Sequence, residues 1–457
     1  MPKLPAAVRY SLSMLMLPSL LAACSGGGSG GAEEASVDRA SPTLDTYDVA
    51  EAPAPAGRST STKREWSVAG LVKGRTETTT SEPGDPTAPA PPPIVAPPRP
   101  EQGGLLTAGD HDDLLNPEGY AEYAGRFLQA HGRSLPFVDT RERVMITVRD
   151  AVGQPAPFAR VLVARANGPL LLTAAADGTA SYYPRFDRVP ARTSVTVAGT
   201  RVAVAPGAKR VAVSLPGQAR PVKAMDLAVV IDATGSMGDE MAYLQAELDA
   251  ILARVKREAG QVDLRVGLVV YRDEGDEYVV RSAPLTSDMR AVRAMLARQS
   301  ADGGGDQPEA VDQALRAVES MRWRSGAAKA VLLVADAPPH EEGIAPALAS
   351  TGRLRSRGVQ IVPVAASGVE DSAQYVMRTM AVLTQGRYIF LTDDSGVGDP
   401  HAEPDLACYA VTHLDGLIAR VLAGIIEGRR IEPGAHEVMR VVGDYRGGRC
   451  GAGLQNS

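Results

Sequence analysis

Cysteine is scarce in this 457-residue chain. There are three, Cys24, Cys408 and Cys450, and no two have the C-x-x-C spacing of a zinc or redox centre. Six histidines are scattered with no i, i+4 pair, which removes the H-E-x-x-H helix of a metalloprotease. No P-loop is present. The one G-x-S-x-G match, Gly27-Gly28-Ser29-Gly30-Gly31, has no strand leading in and no helix leading out, so it is not a nucleophile elbow. Aromatic residues make up 4% of the chain, and no long basic block offsets a net charge of -6, which argues against nucleic-acid binding. The apolar run Leu12 to Leu21 is too short to span a bilayer.

What is present divides the chain into segments. With 44% apolar residues it has material for two or three cored domains. Residues 1–23 have a basic start (Lys3, Arg9), the short apolar run and then Leu21-Ala22-Ala23-Cys24. This resembles the lipobox of bacterial lipoproteins, which implies signal cleavage before Cys24 and lipidation of that cysteine. An ordinary secretory signal with a chance cysteine is the alternative. Ser25 in place of Asp resembles outer-membrane sorting. Residues 24–115 are rich in Pro, Gly, Ser, Thr and Ala and are expected to be a disordered tether.

Residues 116–141 form a helical lead-in, with Tyr120, Tyr123, Phe127 and Leu128 on one face. Over 142–217 the apolar period changes to two, in short runs separated by turn signals, which predicts a small β-sandwich. Val148, Asp150, Gly153, Pro155, Ala159, Val161 and Asp177-Gly178 resemble the carboxypeptidase-regulatory, transthyretin-like sandwich, implying a spacer or binding module. From 224 to 428, near-continuous apolar runs (Leu227–Ile231, Leu264–Tyr271, Ala330–Ala335, Val359–Ala366, Tyr388–Leu391) alternate with helical stretches. That predicts an α/β fold, a doubly wound, mostly parallel sheet covered on both faces. Tyr278–Ser282 reads as an antiparallel edge strand, and Leu406–Ile426 as a closing helix. Residues 429–457 are a C-terminal tail.

In such sheets ligands bind beyond the carboxyl ends of the strands. Asp232, Asp273 and Asp336 each stand just past such an end. Asp232, Thr234 and Ser236 put three oxygens at alternate positions of one loop, suited to a hard cation. A helix N-cap with polar neighbours is the plain structural alternative. The loop and Asp336 make residues 224–428 resemble a von Willebrand factor A domain with a metal-ion-dependent adhesion site. Thr234 replaces the first serine of D-x-S-x-S and keeps the hydroxyl. The usual loop threonine is missing. Gly303-Gly304-Gly305-Asp306-Gln307-Pro308-Glu309 is similar instead to the D-S-P-E loop of the integrin β I-like domain, which implies Glu309 as a ligand. The integrin ligand-specificity loop is absent.

Further parts of that resemblance imply adjacent cation sites. Ser236-Met237-Gly238-Asp239-Glu240 is similar to S-M-x-D-D, implying a second cation, Ca²⁺, at Asp239 and Glu240. Asp273 and Asp306 match the acids of a third. First-turn helix acids and a solvated acidic loop are the alternatives. The central ion is expected to be Mg²⁺ or Mn²⁺, because few carboxylates and two hydroxyls leave positions for water or a partner's acid. The implied function is a membrane-anchored, metal-dependent protein-binding protein of the bacterial cell envelope. Its partner would present an Asp or Glu to the metal. The alternatives are an envelope scaffold with a structural metal, and a metal-assisted hydrolase; no catalytic residue is assigned. In an oxidising compartment Cys408 and Cys450 can form a disulfide, with two free thiols as the alternative.

Overall fold

A computed structural model describes residues 106–132, 135–305, 307–396, 404 and 406–451. The signal segment, Cys24, nearly all of the tether and Asp306 lie outside the described residues. A short strand, β1 (Thr107–His111), and helix α1 (Pro117–His131) come first. Seven strands follow: β2 (Val144–Arg149), β3 (Arg160–Val163), β4 (Leu170–Thr173), β5 (Thr179–Tyr182), β6 (Thr193–Val197), β7 (Thr200–Val204) and β8 (Arg210–Ser214). The alternating part runs β9 (Ala224–Asp232), α2 (Gly238–Glu258), β10 (Asp263–Tyr271), β11 (Val280–Thr286), α3 (Met289–Leu296), α4 (Val311–Ser320) and β12 (Ala328–Ala335). It continues α5 (Glu341–Ser356), β13 (Val359–Ala365), α6 (Asp371–Thr384), β14 (Tyr388–Thr392), β15 (Tyr409–His413) and α7 (Leu414–Glu427). β16 (Arg440–Val442) and the hairpin β17 (Tyr445–Arg446), β18 (Arg449–Cys450) close the chain.

The main sheet is mixed, with nine strands in the order β11-β10-β9-β12-β13-β14-β1-β15-β16. β10, β9, β12, β13 and β14 are parallel, while β11, β1 and β16 pair antiparallel with their neighbours. Alternate residues of β9 feed two cores. Leu227, Val229 and Ile231 pack with Leu244, Leu248 and Leu417 from α2 and α7. Ala228 and Val230 pack with Leu315, Leu354 and Met380 from α4, α5 and α6. The central strands are therefore apolar on both faces, and their run of hydrophobic residues follows from burial on both sides.

Three expectations are corrected. The stretch assigned to the tether up to residue 115 contributes β1, which sits between β14 and β15. Thr-Ala-Gly-Asp-His carries no apolar alternation. It is held by its position, with Thr107 Oγ1 donating to the Thr392 carbonyl at 2.8 Å and Gly109 leaving room for the Phe390 ring. The closing helix begins only at Leu414, because Tyr409–His413 extends as β15 against β1 and β16. β-branched and aromatic residues favour that strand. The tail from 429 onwards supplies β16 to the sheet edge.

The β-sandwich faces a three-stranded sheet, β5-β2-β8, with a four-stranded one, β4-β3-β6-β7. Ile146, Val148, Val161, Val163, Val195 and Val213 fill the space between them. It docks on the α/β part through buried polar contacts. Arg355 of α5 donates to both carboxylate oxygens of Asp187, at 2.7 and 3.0 Å, and to the Ser181 carbonyl at 2.6 Å. The Tyr183 hydroxyl donates to the Val382 carbonyl at 2.8 Å. Cys408 and Cys450 are joined by a disulfide. No helix among the described residues is long and apolar enough to cross a membrane.

Candidate metal centre

β9 ends in Asp232, and the chain turns at once. A 3₁₀ turn, Gly235–Met237, leads into α2, with the Met237 N–H donating to the Thr234 carbonyl. The glycine loop after α3 is laced to this turn. Gly235 N–H donates to Gly303 O, and Asp302 N–H donates to Ala233 O. Gly303 and Gly304 both have positive φ, at 80° and 67°. A β-carbon on Gly304 would lie 3.0 Å from Thr234 Cβ and 3.1 Å from Glu309 Oε1. Glycine is needed there for conformation and for room.

Glu309 is carried to the rim by a backbone bridge to Pro339, with its N–H donating to the Pro338 carbonyl. Asp336 follows β12, and its carbonyl accepts from the Glu370 N–H. Three acids from three parts of the chain thereby share one rim with Thr234 and Ser236. Thr234 donates its N–H (3.0 Å) and hydroxyl (2.7 Å) to Asp232 Oδ1. Asp232 Oδ2, Glu309 Oε2 and Asp336 Oδ1 are buried with no hydrogen-bond partner.

Burial pushes the Asp232 carboxyl up to about 7 against the Thr234 hydrogen bonds, and the charge of Asp336 pushes the same way. Burial, then the charges of Asp232, Asp273 and Asp336, push Glu309 up to about 9. Burial also raises Asp336, partly offset by Ser236. Tyr271, wholly buried beside these acids, is pushed well above the usual phenol range, first by burial. Unpartnered carboxylate oxygens that repel one another are costly unless a positive charge joins them.

Of the residues assigned to adjacent sites, Glu240 and Asp273 have protein partners, and Asp306 lies outside the described residues. Glu240 Oε1 accepts the Ser367 N–H (2.9 Å) and hydroxyl (2.8 Å), while its Oε2 is buried without a partner. Asp239 stands in the first turn of α2. Asp273 Oδ1 lies 2.6 Å from His340 Nε2. Among the described residues, no three His, Cys, Asp or Glu side chains gather closely enough to hold a metal by themselves. In sequence Asp276 reads as part of a solvated acidic loop and His340 as a loop residue; the structure adds that Asp276 Oδ2 accepts the Gly304 N–H (3.0 Å) and that His340 contacts Asp273. The Gly303-Gly304-Gly305 run was the available signal for a close backbone approach.

Residues 226–400 match the family model for the von Willebrand factor type A domain. The chain is 31% identical over 118 residues to an ariadne-like RING finger protein of Acanthamoeba polyphaga mimivirus, covering 26% of this chain and 11% of that protein. It is 27% identical over 123 residues to the alpha-protein kinase vwkA of Dictyostelium discoideum, covering 26% and 20%. The chain thus spans a fifth or less of the length of these curated relatives. Among solved structures, it is similar to the pilus adhesin SpaC of Lactobacillus rhamnosus GG, at 12% identity and a TM-score of 0.33, over 60% of this chain and 34% of that one. It is also similar to the SpRpn10 VWA domain, at 12% identity and a TM-score of 0.27, over 35% of this chain and 82% of that one.

Proposed function

We propose that the von Willebrand factor type A domain of this chain is a divalent-cation-dependent protein-binding module, held at the bacterial cell envelope by a lipid on Cys24 and without catalytic activity. One observation carries the metal reading: Asp232 Oδ2, Glu309 Oε2 and Asp336 Oδ1 are buried, unpartnered and mutually repelling on one rim. Buried polar atoms without partners are rare in native proteins and need a physical reason. Asp232, Glu309 and Asp336, with the hydroxyls of Thr234 and Ser236, would hold Mg²⁺ or Mn²⁺. A bound ion would supply the positive charge that these oxygens lack. It would also offer an open position to an Asp or Glu of a partner protein. The outer-membrane assignment rests on Ser25 after the lipobox cysteine.

Mg²⁺ titration calorimetry on the purified chain, repeated with Asp232→Ala and Glu309→Ala, tests the cation. The expected result is one-site binding in the wild type and none in either variant; equal heats in all three would remove the site. Pull-down from envelope extract with Mg²⁺ and with EDTA tests the partner. Equal recovery in both would leave a structural metal or none.

A further inference from the structure

The β-sandwich carries a charge opposite to that of the whole chain. Residues 142–217 hold ten Arg and Lys against four Asp and Glu, in a chain of net charge -6. All four acids are engaged within the protein. Asp150 accepts the N–H groups of Val152, Gln154 and Ala219. Asp177 accepts the N–H and hydroxyl of Thr179. Asp187 accepts from Arg355 and from the Tyr183 N–H. Glu142 pairs with Arg185 at 2.9 Å.

Six of the ten cations line a groove, Arg185 there beside its partner Glu142, while Arg165, Arg201 and Lys209 bond only uncharged oxygens. Two adjoining depressions, of 530 and 930 Å³, share Pro190, Val204 and Ala205. Arg185, Arg188 and Lys209 line the first, and Arg165, Arg192 and Arg201 the second. All but the half-buried Arg165 are exposed. The loop bearing Arg185 and Arg188 is set in advance. Asp187 between them is fixed by Arg355, and Val189 N–H donates to the Pro184 carbonyl. Arg188 itself has φ 54°, a conformation costly for a side-chain-bearing residue.

We infer that this groove is a docking track for an extended anionic polysaccharide, one bearing sulfate or carboxylate groups along its length. Guanidinium forks match such groups in a two-pronged geometry, and five of the six cations are arginines. The other polyanions fit less well. Tyr182 is the one aromatic residue in the lining and is 2% exposed, so bases have no ring to stack on. Pro184, Pro190 and Pro206 lie in the walls and have no N–H, which disfavours an added peptide strand. A concave track also suits a chain better than a flat lipid surface.

Heparin oligosaccharide binding to the full chain, followed by fluorescence anisotropy, tests this. Binding is expected at 50 mM salt, and roughly 50- to 150-fold weaker at 200 mM, from counterion release at about four contacts. R188E/R192E/R201E should weaken it at least 30-fold at 50 mM salt with unchanged circular dichroism and unfolding midpoint. R257E/R290E/R298E, with the same change in net charge on α2, on α3 and just after α3, should bind as the wild type does. If the groove variant fails to fold, the three Arg→Gln substitutions replace it. The inference is overturned if heparin does not bind or if both triple variants lose binding equally. It is also overturned if single-stranded DNA or anionic vesicles bind the groove as tightly as heparin.

Discussion

Thr234 gives two hydrogen bonds to one oxygen of Asp232, Oδ1, and the other oxygen of that carboxylate is buried with none. The loop thus orients the acid without neutralising it. Replacing Asp232 by Asn removes a buried charge and also a proposed ligand. In EDTA at pH 8, Asp232→Asn should raise the unfolding midpoint by a few degrees. Saturating Mg²⁺ at about 100 times its Kd should add roughly 2.7 kcal/mol to the wild type and nothing to the variant. Thermal melts with and without Mg²⁺ measure both; an equal Mg²⁺ shift in the two proteins would refute the assignment.

The same acids set a pH dependence. Asp232 is raised to about 7 and Glu309 to about 9, in each case first by burial. Unfolded carboxyls titrate near pH 4. Because the folded values are raised, the stabilisation is complete below about pH 4 and is lost as pH rises through about 7 and then about 9. Metal-free protein should therefore lose stability from pH 5 to pH 9.5, and Mg²⁺ should flatten that slope. Urea midpoints across this range, in EDTA and in Mg²⁺, give the comparison. A metal-free midpoint that stays level would contradict it.

Gly304 is the point of the loop that stands against the rim residues themselves. A methyl group there would press on Thr234 and on Glu309 Oε1 at a backbone φ of 67°. Gly304→Ala should cost about 1–3 kcal/mol of stability and weaken Mg²⁺ binding at least tenfold. Gly305→Ala, with open space around its β-carbon, is the matched control. Calorimetry on both variants should separate them; equal behaviour would argue against a built loop.

The Asp187–Arg355 pair joins the two folded parts, with side chains 4% and 8% exposed. Removing one partner leaves a buried charge, so Arg355→Ala should cost about 3–5 kcal/mol. Asp187→Asn/Arg355→Met should cost clearly less than the sum of its single changes. A double-mutant cycle by denaturant unfolding reads this coupling, and simple additivity would refute it.

The Cys408–Cys450 bridge closes a loop with a sequence separation of 42. By chain entropy it contributes about 4 kcal/mol. β16 and the β17–β18 hairpin lie inside that loop, and the Cys450 N–H donates to the Asn116 side chain at 2.8 Å. Reduction should lower the urea midpoint and raise amide exchange across residues 440–450. Unchanged exchange there would show that pairing in the sheet holds the tail without the bridge.

The central strands were legible in sequence because burial on both faces writes an uninterrupted apolar run, as in Leu227–Ile231 and Ala330–Ala335. Asp232 and Asp336 were legible because each stands where such a run stops, whereas Glu309 was read only from the resemblance of its loop to D-S-P-E. β1 was not, since Thr107–His111 owes its conformation to two neighbours nearly 300 residues away in sequence. Strand β15 was absorbed into the following helix because only Thr412 and His413 separate Tyr409-Ala410-Val411 from Leu414, with no Gly or Pro between them. The hold of Ser367 on Glu240 and that of His340 on Asp273 join distant loops, and no local spacing announces either.

β1 also has a mechanical consequence. It is bonded on both sides, by five residues to β14 and by three to β15, and Leu106 leads directly into it. Tension applied at Leu106 along the strand must shear two ladders at once, because their hydrogen bonds lie across the direction of pull. The end of the chain that leads to Cys24 therefore enters the domain through a strand clamped on both sides, with β12 and β9, which lead to Asp336 and Asp232, three and four strands away in the same sheet.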